Sequence, residues 1–258
     1  ANETTADFGK SKTALTGKFD QLLVKLQSRL NDTRYDFLLK PQKRVSSESL
    51  TGLMRDFVGL GSKRAKVTVL DISSVPFDVH PTVTAQIGRL AFEFNYWNPN
   101  CREFPLFVVA EEAHAYIPRD HVGGHQGTRR SFERIAKAGR KYAVGLCVVS
   151  QRPNELSETV LAQCSSYICL RISNPDDQEY VRSLVPDSAR GILEALPSLA
   201  QGEAVAAGEA VPMPMRFQVT MPAPPPNAQS IEYANMWAHG PEETDVEGIV
   251  DNWRKQRR

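Results

Sequence analysis

Apolar positions along this chain fall into two kinds of run. Short, nearly continuous apolar stretches rich in Val, Ile, Leu, Phe and Tyr occur at 35–39, 66–72, 105–110, 143–150 and 165–172. Runs of that length suit strands buried on both faces of a parallel sheet. Between them, apolar residues recur at three- and four-residue spacing, the period of an amphipathic helix. Leu22, Leu23, Leu26 and Leu30 share one helical face. A second helix is predicted over 49–58, ended by Gly59 and Gly61. Val83, Ile87, Leu90, Ala91 and Phe94 stripe a third, which stops at Asn98-Pro99. Phe132, Ile135 and Ala136 mark a fourth, closed by Gly139, and Leu156, Val160 and Leu161 a short fifth. Asn174-Pro175-Asp176-Asp177 is a helix start: Asn caps, Pro is preorganised for the first turn, and the acids favour the positive end of the dipole.

Strand–helix alternation of this kind predicts a three-layer α/β domain with a mainly parallel sheet. Two further extended runs, 203–207 and 215–221, read as a hairpin at the sheet edge. The Pro-rich stretch 222–226 then breaks regular structure and acts as a stiff connector. It leads to a polar tail with Trp237 and Trp253 that ends Arg254-Lys255-Gln256-Arg257-Arg258. The expected organisation is a domain over 1–221 and a connector with a bracing tail over 222–258.

Composition narrows the class. The 258 residues are 41% hydrophobic and 24% charged, which argues against wholesale disorder, a collagen-like repeat or a membrane bundle. The longest wholly apolar stretches, such as 106–110, are too short to span a bilayer. Lys plus Arg total 31 against 30 Asp plus Glu. A net charge of +1 excludes coating nucleic acid by bulk charge but leaves room for a local basic channel. Cys101, Cys147, Cys164 and Cys169 form no CxxC pair and read as reduced thiols of a cytoplasmic protein. The first residues carry neither the basic nor the apolar region of a signal peptide, and no initiator Met, so the chain reads as a fragment or a processed product.

The chemistry concentrates where the 105–110 run meets Glu111-Glu112-Ala113-His114. Acids at the end of a buried parallel strand lie at the carboxyl edge of the sheet, where ligands bind in such folds. In a nucleotide hydrolase the first acid supports the magnesium shell, usually through water, and the second polarises the attacking water. The next strand ends in Ser150-Gln151-Arg152-Pro153, which places Gln151 where one side chain can meet both a γ-phosphate and the attacking water. Gly139-Arg140-Lys141 ends the intervening helix with two cations, and a guanidinium suits charge on a transferring phosphoryl group.

Glu111-Glu112-Ala113-His114, Gly139-Arg140-Lys141-Tyr142, Ser150-Gln151-Arg152-Pro153 and Asn174-Pro175-Asp176-Asp177-Gln178 occur in one order. Together they resemble the HerA group of the HerA/FtsK ATPases, over nearly the whole chain. The resemblance implies a RecA-like P-loop fold, here incomplete at its N-terminal end, in a hexameric ring that moves double-stranded DNA using ATP and magnesium. It assigns Glu111 to the Walker B magnesium site, Glu112 to the catalytic carboxylate, Gln151 to the polar sensor, and Arg152 to the nucleotide. Asp is commoner at the Glu111 position. Arg140 matches the region that supplies an arginine finger to the next subunit's ATP, with Arg152 and Arg134 as nearby alternatives. The group works with nucleases or with antiviral effectors such as sirtuin-like NADases. A scaffold ring that organises an effector, with weak or regulatory hydrolysis, is the alternative.

One element of the family pattern is missing. Gly9-Lys10-Ser11 imitates the end of a phosphate-binding loop, but Thr4 stands where that loop needs Gly, and no apolar strand precedes it. Gly17-Lys18-Phe19 lacks the hydroxyl residue. The loop is therefore expected upstream of Ala1, which would leave this chain inactive alone. His114, His121 and His125 lie near the two glutamates without any zinc-ligand spacing, so a protein-ligated catalytic metal is not expected. The Gly-rich stretch 119–130 carries Arg119, Arg129 and Arg130, which are expected to touch DNA phosphates.

Overall fold

The structure is a computed structural model of the chain and describes residues 19–39, 47–119, 125–224, 233–240 and 244–255. Its helices are α1 (Asp20–Asn31), α2 (Asp36–Leu39), α3 (Ser47–Phe57), α4 (His80–Tyr96), α5 (Gln126–Ala138), α6 (Glu158–Leu161), α7 (Pro175–Leu184), α8 (Asp187–Leu193), α9 (Tyr233–His239) and α10 (Val246–Lys255). The strands are β1 (Leu106–Ala110), β2 (Val144–Val148), β3 (Ser166–Cys169), β4 (Glu203–Gly208) and β5 (Met215–Gln218). The chain divides into two compact units, one of residues 1–51, 71–76 and 240–258, the other of residues 52–70 and 77–239.

In the first unit, α1 follows the predicted apolar spacing, yet Leu22, Leu23, Leu26 and Leu30 are all exposed. The strand expected at 35–39 is not one. Asp32 accepts a hydrogen bond from the Arg34 backbone N–H (3.0 Å), which caps a 3-10 turn over Thr33–Tyr35 that runs on into α2. A short apolar run cannot tell a strand from a turn of helix, and here the capping acid decides.

The second unit contains the parallel pair. β1 and β2 pair in register from Leu106↔Val144 to Ala110↔Val148, with α5 in the crossover between them. Alternate β1 residues face opposite ways: Phe107 and Val109 are exposed, while Val108 and Ala110 turn to the core. That core also holds Phe92 of α4 and Phe132 and Ile135 of α5. Gly88 allows the two helices to approach, since a Cβ there would lie 3.1 Å from the Phe132 ring. The expected helices at 83–94 and 132–136 are therefore present as α4 and α5 and supply one cover of the pair.

Two expectations about the sheet are corrected. Residues 66–72 form no strand; Val67, Val69 and Leu70 are exposed, and the segment has no ladder partner among the described residues. β-branched residues favour a pleated, half-buried surface, and without one the propensity does not make a strand. The 165–172 run does not extend the parallel pair either. As β3 it pairs antiparallel with β4, and β4 with β5, in a three-stranded sheet of its own. The 203–207 and 215–221 hairpin is present but belongs to that second sheet, with its Val205 and Ala207 in one core with Val181, Leu193, Leu196 and Leu199. Among the described residues the architecture is α/β, with a parallel pair and a separate antiparallel sheet in place of one mainly parallel sheet. Gly9-Lys10-Ser11, His121, Gly123, Gly124, part of the Pro-rich connector and residues 256–258 lie outside the described residues.

Candidate functional site

The parallel register brings the carboxyl ends of β1 and β2 to the same edge, and the ladder continues past both. The Val149 N–H donates to Ala110 O (2.9 Å), and the Ala113 N–H donates to Val149 O (3.0 Å). Glu112, between those contacts, has a left-handed backbone (φ 48°, ψ 42°). For a non-glycine residue that conformation costs about 1–2 kcal/mol. It persists because its neighbours are held: Ala113 is fully buried, and the Tyr116 hydroxyl donates to Glu111 O (2.8 Å). Burial, reinforced by the Glu111 and Glu112 charges, pushes the Tyr116 phenol up to about 12, so it remains a neutral donor.

The turn aims the Glu112 carboxylate at the β2 tip. Gln151 Nε2 donates to Glu112 Oε1 at 2.8 Å. His114 Nδ1 lies 3.4 Å from Glu112 Oε2 and 3.1 Å from Ser150 Oγ. Ser150 Oγ also accepts the Arg152 N–H (3.0 Å). Glu111 and Gln151 are exposed, and the Glu112 side chain is about half exposed. The predicted pair of Glu112 and Gln151 is thus in direct contact, with Glu111 adjacent in the chain.

Other predicted residues stand apart. Arg140 lies in the 3-10 turn Gly139–Tyr142 before β2, while Gln151 follows β2. The five residues of that strand span about 16 Å, so Arg140 is at the opposite end of the pair from Glu112. Arg152 pairs with Glu155 (2.5 Å) in the loop after β2. Arg134 stacks over the Phe92 ring (4.2 Å) and sits 3.8 Å from Glu93.

The Gly-rich stretch is anchored at its two described ends. Arg119 donates to Asn154 Oδ1 (2.8 Å), pairs with Glu158, and lies over the Tyr180 ring. Arg129 binds Glu133 (2.6 Å) and the Arg119 carbonyl (2.7 Å). Arg130 is exposed. No group of three potential ligands for a metal ion occurs among the described residues.

Sequence reasoning missed Ser150 and Asp177. Asp177 is buried and accepts the Asn154 N–H (3.0 Å), so the Asn174-Pro175-Asp176-Asp177 cap also pins the loop behind Gln151. Its position in a first helical turn signalled only a dipole acid. All four cysteines are free, and burial raises the Cys164 and Cys169 thiols, the latter to about 11. Among the described residues, no helix is long and apolar enough to cross a membrane.

No family model matches the chain. Individual proteins do. The DNA double-strand break repair helicase HerA of Pyrococcus furiosus is 36% identical over 156 residues, 60% of this chain and 26% of that protein. The same-named helicase of Sulfurisphaera tokodaii is 32% identical over 200 residues, 74% of this chain and 39% of that one. A probable helicase of Methanocaldococcus jannaschii is 42% identical over 117 residues, 45% of this chain and 22% of its own length. This chain thus spans between about a fifth and two-fifths of the curated relatives it matches. Among solved structures, the genome packaging NTPase B204 of Sulfolobus turreted icosahedral virus 2 with ATP-gammaS aligns at TM-score 0.44 and 14% identity, covering 69% of this chain and 74% of that one. Over up to three-quarters of its length, this chain is a sequence relative of the HerA helicases.

Proposed function

We propose that this chain is the Walker B-containing part of an ATP-driven motor subunit that moves double-stranded DNA, and that it works in a hexameric ring. The observation that supports it most is the 2.8 Å contact between Gln151 Nε2 and Glu112 Oε1 at the joined carboxyl ends of two parallel strands. A half-exposed carboxylate beside a side-chain amide is the pair needed to orient one water and sense one phosphoryl oxygen. The HerA sequence relatives support DNA as the substrate. Residues 1–221 form the motor part in this reading, and 222–258 the connector and tail.

Glu112 accepts the proton of the attacking water. Gln151 orients that water and contacts the γ-phosphate. Glu111 fits a magnesium shell, because it is an exposed carboxylate beside Glu112, and magnesium takes one or two carboxylates while keeping several waters. When bound, magnesium neutralises charge on the β- and γ-phosphates. Arg152, in the loop after β2, contributes to binding the nucleotide. Arg140, at the far end of the strand pair, cannot serve the Glu112 of its own subunit and acts in a neighbour's site. Arg130 contributes a DNA phosphate contact. Arg119 and Arg129, each already paired with an acid, hold the ends of the Gly-rich stretch and add charge beside it. The ring acts with a nuclease or an antiviral effector.

Displacement of a triplex-forming strand tests the reading. The complete protein, carrying its phosphate-binding loop, is expected to strip a third strand from duplex DNA only with ATP and magnesium. Hydrolysis without displacement would replace the motor with the scaffold ring.

A further inference from the structure

One side chain at this edge touches both strand tips and has no part in the chemistry assigned so far. His114 sits two residues beyond Glu112, with Nδ1 3.4 Å from Glu112 Oε2 and 3.1 Å from Ser150 Oγ. Its imidazole is about four-fifths buried. With its proton on Nδ1, the ring donates to Ser150 Oγ and sets the same nitrogen beside Glu112 Oε2, a carboxylate oxygen that can only accept. Ser150 Oγ is itself fixed by the Arg152 N–H at 3.0 Å. The ring is therefore moored to the loop after β2 and faces the carboxylate that follows β1.

Gln151 holds the other oxygen of the same carboxylate. Glu112 is thus bracketed, Oε1 by Gln151 and Oε2 by His114, and both brackets arise from consecutive residues of one loop, since His114 is held by Ser150. A half-exposed glutamate on a left-handed backbone has little else to fix its side chain. The geometry points to His114 as a positioning residue: it orients the Glu112 carboxylate toward water and ties that orientation to the β2 tip. This rests on the proposed hydrolytic role of Glu112. His114 makes no contact with the reacting atoms and acts only through Glu112.

The test is steady-state ATP hydrolysis by the complete protein, with melting temperature measured for each variant. His114→Ala is expected to lower kcat about 10- to 100-fold, the scale of a catalytic group displaced by an ångström, with KM for ATP within about twofold. His114→Asn, whose amide nitrogen reaches the Nδ1 position, restores most of kcat. His114→Gln, which puts its amide at the Nε2 position, does not. If the Ala variant fails to fold, the Asn and Gln pair decides: unequal kcat at equal melting temperature supports the inference, and equal kcat overturns it. Wild-type kcat in His114→Ala also overturns it, as does a loss of kcat that tracks melting temperature across all three. Glu112→Gln is the reference. If it still hydrolyses ATP, the role of Glu112 itself fails, whereas an inactive Glu112→Gln beside a fully active His114→Ala removes only His114.

Discussion

Glu133 on α5 accepts hydrogen bonds from Arg129 (2.6 Å) and Ser157 (3.0 Å) and lies 3.8 Å from Lys137. Burial alone would raise its pKa, but those hydrogen bonds and charges outweigh it and the net shift is downward. A depressed folded pKa contributes stability above the ordinary carboxylate value, lost as pH falls through the folded one. Glu133→Gln should therefore be less stable at neutral pH, and its melting temperature should fall less steeply below about pH 4.5. Parallel acid-branch slopes for the variant and the parent would show that Glu133 is not the group responsible. At this scale, Glu111, Glu112 and Gln151 were legible because each ends an apolar run, and the end of a parallel strand is a defined place. His114 was legible only as the last residue of the Glu111-Glu112-Ala113-His114 motif, with no role of its own. Its neighbour Ser150 lies 36 residues away, and only the register of β1 on β2 brings the two together.

Among the elements, α7 was read most fully from its residues. Asn174 adopts extended geometry, and its Oδ1 accepts the N–H of Asp176 (2.8 Å) and Asp177 (3.3 Å) ahead of Pro175 at the first turn. Loss of such a cap costs about 1 kcal/mol. Asn174→Ala should lower the unfolding free energy by about that amount in urea, and Asn174→Asp or Asn174→Ser should keep it; an unchanged midpoint in the Ala variant would contradict the capping role. The strands were read less well. Periodicity cannot distinguish partners: within 165–172 the strand is Ser166–Cys169, and it joins the hairpin and not the parallel pair. It pairs antiparallel with the hairpin that follows it. The 66–72 run has β-forming residues without a ladder partner among the described residues, and the 35–39 run follows the capping Asp32 into helical turns.

At the scale of the whole molecule, the parallel pair and the helices over its buried face make a platform with Glu112 and Gln151 at one end and Arg140 at the other. A subunit with its carboxylate and its candidate finger at opposite ends suits a site shared between neighbours, consistent with the ring proposed above. The chain spans about a quarter of one HerA relative and about two-fifths of another. ATP turnover by that complete protein carrying Glu112→Gln is the most direct measurement. Nucleotide binding should be retained and hydrolysis should drop by about 100-fold or more, the contribution of a general base. Hydrolysis at the parental rate would contradict that role.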